Sequence, residues 1–222
     1  MIRMSYKLFG VLSFLLALFF ASVVFVTATN KGHSDVMASA TSEAKLVVAI
    51  TNGFVRTYSQ YQANSDNGPM PTPAAFRADA LHRADSRLLD NDGSTSVIGL
   101  PGREIANTAT DEQMRLQLIR LEKSPDTEAL ESVYRKGQQT IHRSLFPLFA
   151  SEPTCAACHN KLQRLAGNKQ WQVGDLMGAQ YIDQNIDHQL THVNNTVRLV
   201  SVLVFLTVLA GSFCCLFLYT QF

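Results

Sequence analysis

The chain has few cysteines and almost no excess of either charge. Only four of its 222 residues are cysteine, and 19 basic residues stand against 18 acidic ones. It has no run of like charges and no basic stripe with interleaved aromatic residues, so electrostatic recognition of nucleic acid has no support. Phosphate-binding loops, nucleophile–base pairs and paired catalytic carboxylates are also missing. We therefore expect neither a nucleic-acid-binding protein nor an enzyme.

Apolar residues, in contrast, are concentrated at the two ends of the chain. Leu8–Ala28 and Leu199–Tyr219 contain no charged residue. At about 1.5 Å of rise per residue, each run can cross the hydrocarbon core of a bilayer as a helix. We therefore predict two transmembrane helices. The first run is longer than the apolar part of a secretory signal, which favours an uncleaved anchor, although Val26-Thr27-Ala28 resembles a cleavage site.

Basic residues before the first run predict the orientation of the chain. Arg3 and Lys7 keep residues 1–7 in the cytoplasm under the positive-inside rule. Residues 29–198 then form a domain on the outer side of the membrane, and residues 220–222 are a short cytoplasmic tail. We expect a protein of the bacterial inner (cytoplasmic) membrane whose main domain is periplasmic.

Three segments between the runs have helical patterns. Apolar residues recur at four-residue spacing from Leu46 to Tyr58, which predicts a helix that continues from the first span. The stretch TPAAF, starting at Thr72, is typical of the N-cap and first turn of a second helix. Thr110 and Gln113 have the spacing of a capping box, which predicts a third helix with Thr110 as its N-cap.

The later part of this segment has strand patterns. A short strand is expected at Ser96–Leu100 within a loop, and Glu131–Ala150 is typical of a hairpin that turns at Lys136 and Gly137. Met177–Asp183 has the pattern of a further strand. Helices followed by a small antiparallel sheet predict an α+β fold, with flanking helices, between two transmembrane helices.

The most informative motif is C-x-x-C-H, formed by Cys155, Cys158 and His159. Two thiols at this spacing can add to the two vinyl groups of one haem, while the adjacent imidazole reaches the iron. A zinc site usually needs four ligands, and His188 and His192 could complete one only by folding back from the membrane boundary. A thioredoxin-like pair requires a βαβ setting, and a simple disulfide leaves the histidine unexplained. We expect one covalently attached haem c.

Three stretches resemble a known family. They are CAACHN from Cys155, WQVGDLMGAQYID from Trp171 and, more loosely, MPTPAAF from Met70. The family comprises single-haem c-type domains with a PAS-like fold, which serve as periplasmic input modules of bacterial membrane sensors, including histidine kinases and diguanylate cyclases. The resemblance covers most of Ser34–Asp187.

The resemblance implies a PAS-like antiparallel sheet around the haem, attachment at Cys155 and Cys158, and His159 as an axial ligand of the iron. Members of the family often carry an arginine, suited to a haem propionate, where Met177 stands. They also usually continue beyond the second span into a signalling domain, which this sequence does not include. We therefore expect output through a homodimer or through a separate membrane partner of the kinase or cyclase type.

The group on the other side of the iron decides what a c-type haem can do. An open position would bind NO, CO or O₂, whereas a filled one favours redox sensing or electron transfer. His142 is the first candidate ligand, because it shares a predicted strand face with Ser144 and Phe146 that we expect to point inward. The alternative for His142 is a hydrogen-bonded structural histidine. Met177 is the second candidate, with apolar packing as its alternative.

Two functions are consistent with these features. The first is a membrane-anchored sensor of redox state or of a gas ligand, in which the strand ending near Asp183 passes a change through the helix at Asn185–Asn195 into the second span. The second is a membrane-tethered monohaem cytochrome that transfers electrons to a redox partner.

Overall fold

A computed structural model of the chain describes residues 6–63, 73–88, 93–103, 107–124, 126–162 and 170–221. The elements follow in the order α1 (Tyr6–Ala63), α2 (Pro73–Leu88), β1 (Ser94–Gly99), α3 (Glu112–Lys123), β2 (Leu130–Lys136), β3 (Gln139–Phe149), α4 (Pro153–Leu162), β4 (Leu176–Asn185) and α5 (Asp187–Gln221).

The predicted α+β fold is confirmed. The four strands form one antiparallel sheet in the order β1-β4-β3-β2, flanked by helices. The predicted hairpin is β2 and β3, and its turn contains Gly137 at a φ of 64°, a left-handed conformation that glycine adopts without strain. Because β4 lies between β1 and β3, the strand that precedes α5 is in the interior of the sheet.

The two faces of the sheet carry different neighbours, because successive strand residues point to opposite sides. Leu145, Ala179 and Tyr181 present what we term the motif face, which is buried in a large apolar cluster. Phe146 and Ile182 present the α1 face, which packs against α1. The remaining buried members of the motif-face cluster are Ile98, Leu100, Met114, Leu118, Leu121, Ala150, Ala156, Trp171 and Leu176.

The chain divides into two compact units, Met1–Ala38 with Asp187–Phe222 and, separately, Ser39–Ile186. Both helices of the first unit are long and apolar enough to span a membrane, as predicted. They pack closely within that unit, since a Cβ placed on Gly32 would overlap the side chain of Val193. The His33 Nε2 atom also lies 3.0 Å from Oδ1 of Asn194.

The predicted cap of α3 was wrong by one residue. Asp111, not Thr110, is the N-cap, and its Oδ1 accepts a hydrogen bond of 2.7 Å from the backbone N–H of Met114. A carboxylate is favoured there because the N-terminal end of a helix attracts negative charge. Asp111 also forms an ion pair with Arg143, which the neutral side chain of Thr110 could not form.

Candidate functional site

The C-x-x-C-H motif lies on α4, which begins shortly after β3 ends. Pro153 occupies the first turn, where its missing N–H costs no helix hydrogen bond. The carbonyl of Glu152 accepts a hydrogen bond of 3.0 Å from the N–H of Cys155. Because Cys155 and His159 are four residues apart, they share one side of the helix.

Apolar contacts fix α4 over the motif face. Ala156 is only 7% exposed and belongs to the motif-face cluster. Cys155 is a free, half-buried thiol that packs against the same cluster. The backbone of Cys158 is part of α4, while its side chain lies outside the described residues. The motif therefore sits at an apolar surface, as attachment of a largely apolar porphyrin requires.

The imidazole of His159 is held against an aromatic ring. It meets Trp171 edge to face, with the ring centroids 6.2 Å apart. Its Nδ1 atom is buried and has no hydrogen-bond partner among the described residues. Burial lowers the pKa of His159 below its ordinary value. The ring is therefore neutral near pH 7, which is the form that can bind a metal.

Asn160 connects the motif to the segment before β4. Its Oδ1 accepts a hydrogen bond of 2.6 Å from the N–H of Trp171, and its Nδ2 donates one of 2.9 Å to the carbonyl of the same residue. The Arg103 guanidinium lies 4.9 Å from the centre of the Trp171 ring and pairs with Glu122 of α3. Sequence analysis quoted Asn160 and Trp171 as part of the resemblance but assigned them no role. Their role is to fix the surroundings of His159.

Two glycines in the stretch after Trp171 stand where the backbone has no room for a side chain or adopts a conformation that favours glycine. Gly174 has a φ of 93°, which residues with a side chain rarely adopt, and it forms a turn closed by Asp175, whose Oδ2 accepts from the N–H of Gln172 at 2.9 Å. At Gly178, an added Cβ would overlap the backbone carbonyl of Ile98 in β1. The first glycine permits the turn, and the second lets β4 approach β1.

A buried charged network lies on the same face near the end of β4. Arg143 is 1% exposed, and its Nε and Nη2 donate to the two carboxylate oxygens of Asp183, both at 2.7 Å. Its Nη1 donates to Asp111 at 2.6 Å and its Nη2 to the Tyr134 hydroxyl at 2.7 Å. That hydroxyl in turn donates to Asp183 at 2.7 Å. Sequence analysis missed this network, because its members come from β2, β3, β4 and the α3 cap.

The charges of the network shift the pKa values of its members. Burial alone would lower the pKa of Arg143, but the hydrogen bonds that it donates to Asp183 and Asp111 raise that pKa above its usual value. Partial burial would raise the pKa of Asp111, but its bonds with the Met114 N–H and with Arg143 hold that pKa low. Burial and the bond to Asp183 raise the pKa of Tyr134. Arg143, Asp111 and Tyr134 therefore keep their usual charge states near pH 7.

The two candidate ligands for the other side of an iron lie on different faces. His142 is 1% exposed and, like Ser144, projects from the α1 face, so the structure does not bring it to the C-x-x-C-H motif. An axial role for His142 stays a prediction, and the strand register does not support it. Met177 packs against the motif-face cluster. Of the two candidates, Met177 is the one that lies on the same side of the sheet as the motif.

An open cavity of about 340 Å³ also lies on the motif face. Within the described ranges, no group of three His, Cys, Asp or Glu side chains gathers as ligands for a metal ion. The lining residues are Ser96, Ile98, Asn107, Thr108, Thr110 and Tyr181.

The described residues fit a covalently attached haem in three respects. Cys155 offers a free thiol beside apolar surface. His159 offers a neutral ring with a buried nitrogen that has no partner in the described part of the chain. Asn160 and Trp171 hold that ring in place. Cys155 and Cys158 would hold the porphyrin, and His159 would bind its iron.

Comparison with known proteins gives one family. The family model described as Tll0287-like (Tll0287) matches residues 33–185, which include every element from α2 to β4. Neither the curated proteins nor the solved structures yield a match.

Proposed function

The chain belongs to the Tll0287-like family, a family of haem-c-binding domains with a PAS-like fold, and on this premise we propose that it is a membrane-anchored c-type haem protein that senses redox state or a gas ligand in the periplasm. The observation that carries this proposal is the placement of Cys155 and His159 on one side of α4, against the apolar motif face. A haem iron in this place supplies one-electron chemistry and, where an axial position is open, binding of a diatomic gas.

The protein's own residues would form and hold the site. Cys155 and Cys158 would attach the porphyrin by thioether bonds, and His159, positioned by Trp171 and Asn160, would bind the iron. The apolar cluster beneath α4 excludes water from one side of the site.

The connection of β4 to α5 favours a sensor. Only Ile186 separates the last residue of β4 from the first residue of α5, which is a candidate membrane span. β4 carries Tyr181 and Asp183 on the motif face. A change of packing on that face therefore has a short covalent route toward the membrane, where a second copy or a separate kinase- or cyclase-type partner would receive it.

Electron transfer is the alternative function, and the exposure of the site favours it. Cys155 and His159 are both only half-buried, so one edge of a bound haem would lie close to solvent and to a redox partner. In either role the protein is not an enzyme; it acts at the membrane and without nucleic acid.

The decisive experiment is covalent haem retention by the full chain, produced in cells competent for cytochrome c assembly. The wild-type chain should keep its pigment through denaturation and acid–acetone extraction. Cys155→Ala should lose one thioether bond, with an altered spectrum of the pyridine adduct, and Cys155→Ala with Cys158→Ala should lose the pigment. Cys215→Ala, which removes an exposed cysteine of α5, is the matched control and should leave it unchanged.

The spectrum also separates gas sensing from the two redox roles. Pigment that binds CO in the reduced state supports gas sensing, whereas a reversible, CO-inert spectrum supports redox sensing or electron transfer. Pigment that washes out of the wild-type chain contradicts the whole proposal.

A further inference from the structure

Two exposed histidines, His188 and His192, lie in the first turns of α5 and take no part in the proposed haem site. They are four residues apart, so they lie on one side of the helix with their Cβ atoms about 5–6 Å apart. A helical side chain leans toward the turn that precedes it, which brings the ring of His192 back toward His188. The two imidazoles can therefore reach the same point in solvent.

The opposite side of α5 is the side that packs against α1. There Val197 is only 7% exposed, and Oδ1 of Asn194 lies 3.0 Å from Nε2 of His33. At 100° per residue, both exposed histidines fall on the far side of the helix from Val197. In the described part of the chain, neither His188 nor His192 forms a hydrogen bond or an ion pair. Helix packing thus leaves both rings free to turn toward a shared ligand.

The charge of this part of α5 permits a cation to bind. The N-terminal end of a helix carries partial positive charge, which disfavours a cation, but Asp187 places a carboxylate in the first turn. No lysine or arginine follows it in the sequence before Arg198. His192 also precedes the apolar run at Leu199 by seven residues, roughly 10 Å of helix, so the pair lies outside the predicted span.

The chemistry of two imidazoles selects a class of metal. Imidazole nitrogen suits Zn²⁺, Cu²⁺ and Ni²⁺, whereas Ca²⁺ and Mg²⁺ prefer oxygen ligands. Zinc peptidases use the same four-residue spacing on one side of a helix to supply two of their ligands. We propose that His188 and His192 form a bidentate surface site for a divalent transition-metal ion, with water in the remaining coordination positions. This site is separate from the C-x-x-C-H motif and does not depend on a haem.

The position of the site gives it a structural consequence. An ion bound by both rings bridges the first two turns of α5, and only Ile186 separates this helix from β4. Because the bridge exists only while these turns are helical, metal binding stabilises them against local unfolding. The junction between the sheet and the second candidate span is therefore more rigid with the ion bound.

The first test is Ni²⁺ binding to the full chain in detergent near neutral pH, measured by calorimetry. We expect His188→Gln and His192→Gln each to weaken binding roughly 100-fold, because the second ring no longer acts at a high effective concentration. His82→Gln, at an exposed position of α2, should bind as the wild type does. The chain with Cys155→Ser and Cys158→Ser should show the same dependence on the two histidines, which separates this site from the motif.

Two further variants keep the number of histidines and change only their spacing. Gln189→His with His192→Gln places the rings on adjacent residues, which do not face each other, and should bind as weakly as His192→Gln alone. Thr191→His with His192→Gln places them three residues apart on the same side and should retain most of the wild-type affinity. If the adjacent pair binds as tightly as the wild type, the rings act singly and the proposal is wrong.

The second test is hydrogen exchange of the backbone amides at residues 187–195. At a Ni²⁺ concentration about 100 times the dissociation constant, exchange through local unfolding should slow by up to roughly 100-fold in the wild type. It should not change in the chain with His188→Gln and His192→Gln. Exchange that slows equally in both chains, affinity that is the same in every histidine variant, or no saturable binding to the wild type would each overturn the proposal. None of these results bears on whether the chain holds a covalent haem.

Discussion

The two faces of the sheet bury polar groups in opposite ways. On the motif face, the guanidinium of Arg143 and the carboxylate of Asp183 are both almost fully buried and bonded to each other. On the α1 face, His142, Ser144 and Gln180 are equally buried, yet their side chains have polar atoms without a hydrogen-bond partner in the described part of the chain. The Arg143 network on one face is charged and hydrogen-bonded throughout, while His142, Ser144 and Gln180 on the other face are uncharged and only partly hydrogen-bonded.

The difference indicates where the domain is rigid. A fully bonded network restrains the strands that contribute to it, whereas an unsatisfied buried polar group costs about 1–3 kcal/mol and restrains nothing. The rigid part lies beside the C-x-x-C-H motif and holds the last residues of β4. If the protein is a sensor, as proposed, we expect a change at the C-x-x-C-H motif to be transmitted along β4 more readily than through the α1 face.

Removal of Arg143 is the strongest test of this comparison. Arg143→Met leaves Asp183 and Asp111 as buried or half-buried carboxylates without their counter-ion. We expect the free energy of unfolding to fall by about 3–5 kcal/mol. Arg115→Met, which breaks an exposed pair with Glu112, is the matched control and should leave the free energy of unfolding nearly unchanged, because solvent screens an exposed ion pair. Denaturant unfolding of the full chain in detergent, followed by circular dichroism, measures both. Equal losses would show that the network does not restrain the sheet.

Asn160→Ala should have an intermediate effect, because it tests the smaller set of bonds on the motif face. It removes the two hydrogen bonds that the Asn160 side chain makes with the N–H and the carbonyl of Trp171. We expect a loss of roughly 1–3 kcal/mol. Trp171 is the single tryptophan of the chain, so its fluorescence reports on this site alone. In the haem-free chain its emission should shift to longer wavelength.

A second variant tests whether the loss of stability comes from those two hydrogen bonds. Asn160→Asp retains the acceptor for the Trp171 N–H but loses the donor to its carbonyl. Its loss of stability should fall between the wild type and Asn160→Ala. If the aspartate variant is as unstable as the alanine variant, or the emission of both is unchanged, Asn160 does not hold Trp171 in the way described.

Sequence patterns predicted the parts of this molecule whose causes are local. Hydropathy indicated the two candidate spans, turn residues at Lys136 and Gly137 indicated the hairpin, and the C-x-x-C-H motif indicated the cofactor chemistry. The periodic apolar residues of α1 did predict a helix, but Leu46 and Phe54 are exposed, and the buried contact with the sheet is made by Ala44. Periodicity indicates a helix but does not show which side of it is buried.

The parts that sequence analysis missed depend on contacts between distant residues. The carboxylate partners of Arg143 lie 32 and 40 positions away, and no local pattern joins them to it. The face of His142 was predicted to be buried, which it is, but strand alternation alone could not say which layer covers it. Only the register of β3 against β4 separates its face from that of Leu145.

His142 gives the smallest expected effect and tests the α1 face directly. Burial lowers its pKa, and the opposing influences of Glu131 and Asp183 only partly offset this. Because the folded pKa lies below the unfolded value of about 6.5, the unfolded chain takes up a proton first as the pH falls. The stability linked to His142 is therefore complete above about pH 6.5 and is lost as the pH drops through the folded pKa.

The wild-type chain should lose stability between pH 7 and pH 5, and His142→Gln should make this loss smaller. We expect the difference to stay under about 1.4 kcal/mol for each unit by which folding lowers the pKa of His142. His82→Gln, at an exposed position of α2, is the control and should leave the pH profile unchanged.

The visible spectrum of the haem-loaded chain is a second measurement on His142→Gln. An unchanged spectrum fits a side chain that the sheet separates from the motif, because a group on the α1 face cannot reach an iron bound by His159. A shifted spectrum, with CO binding gained on loss of the imidazole, would instead make His142 the second axial ligand and overturn the assignment of the two faces.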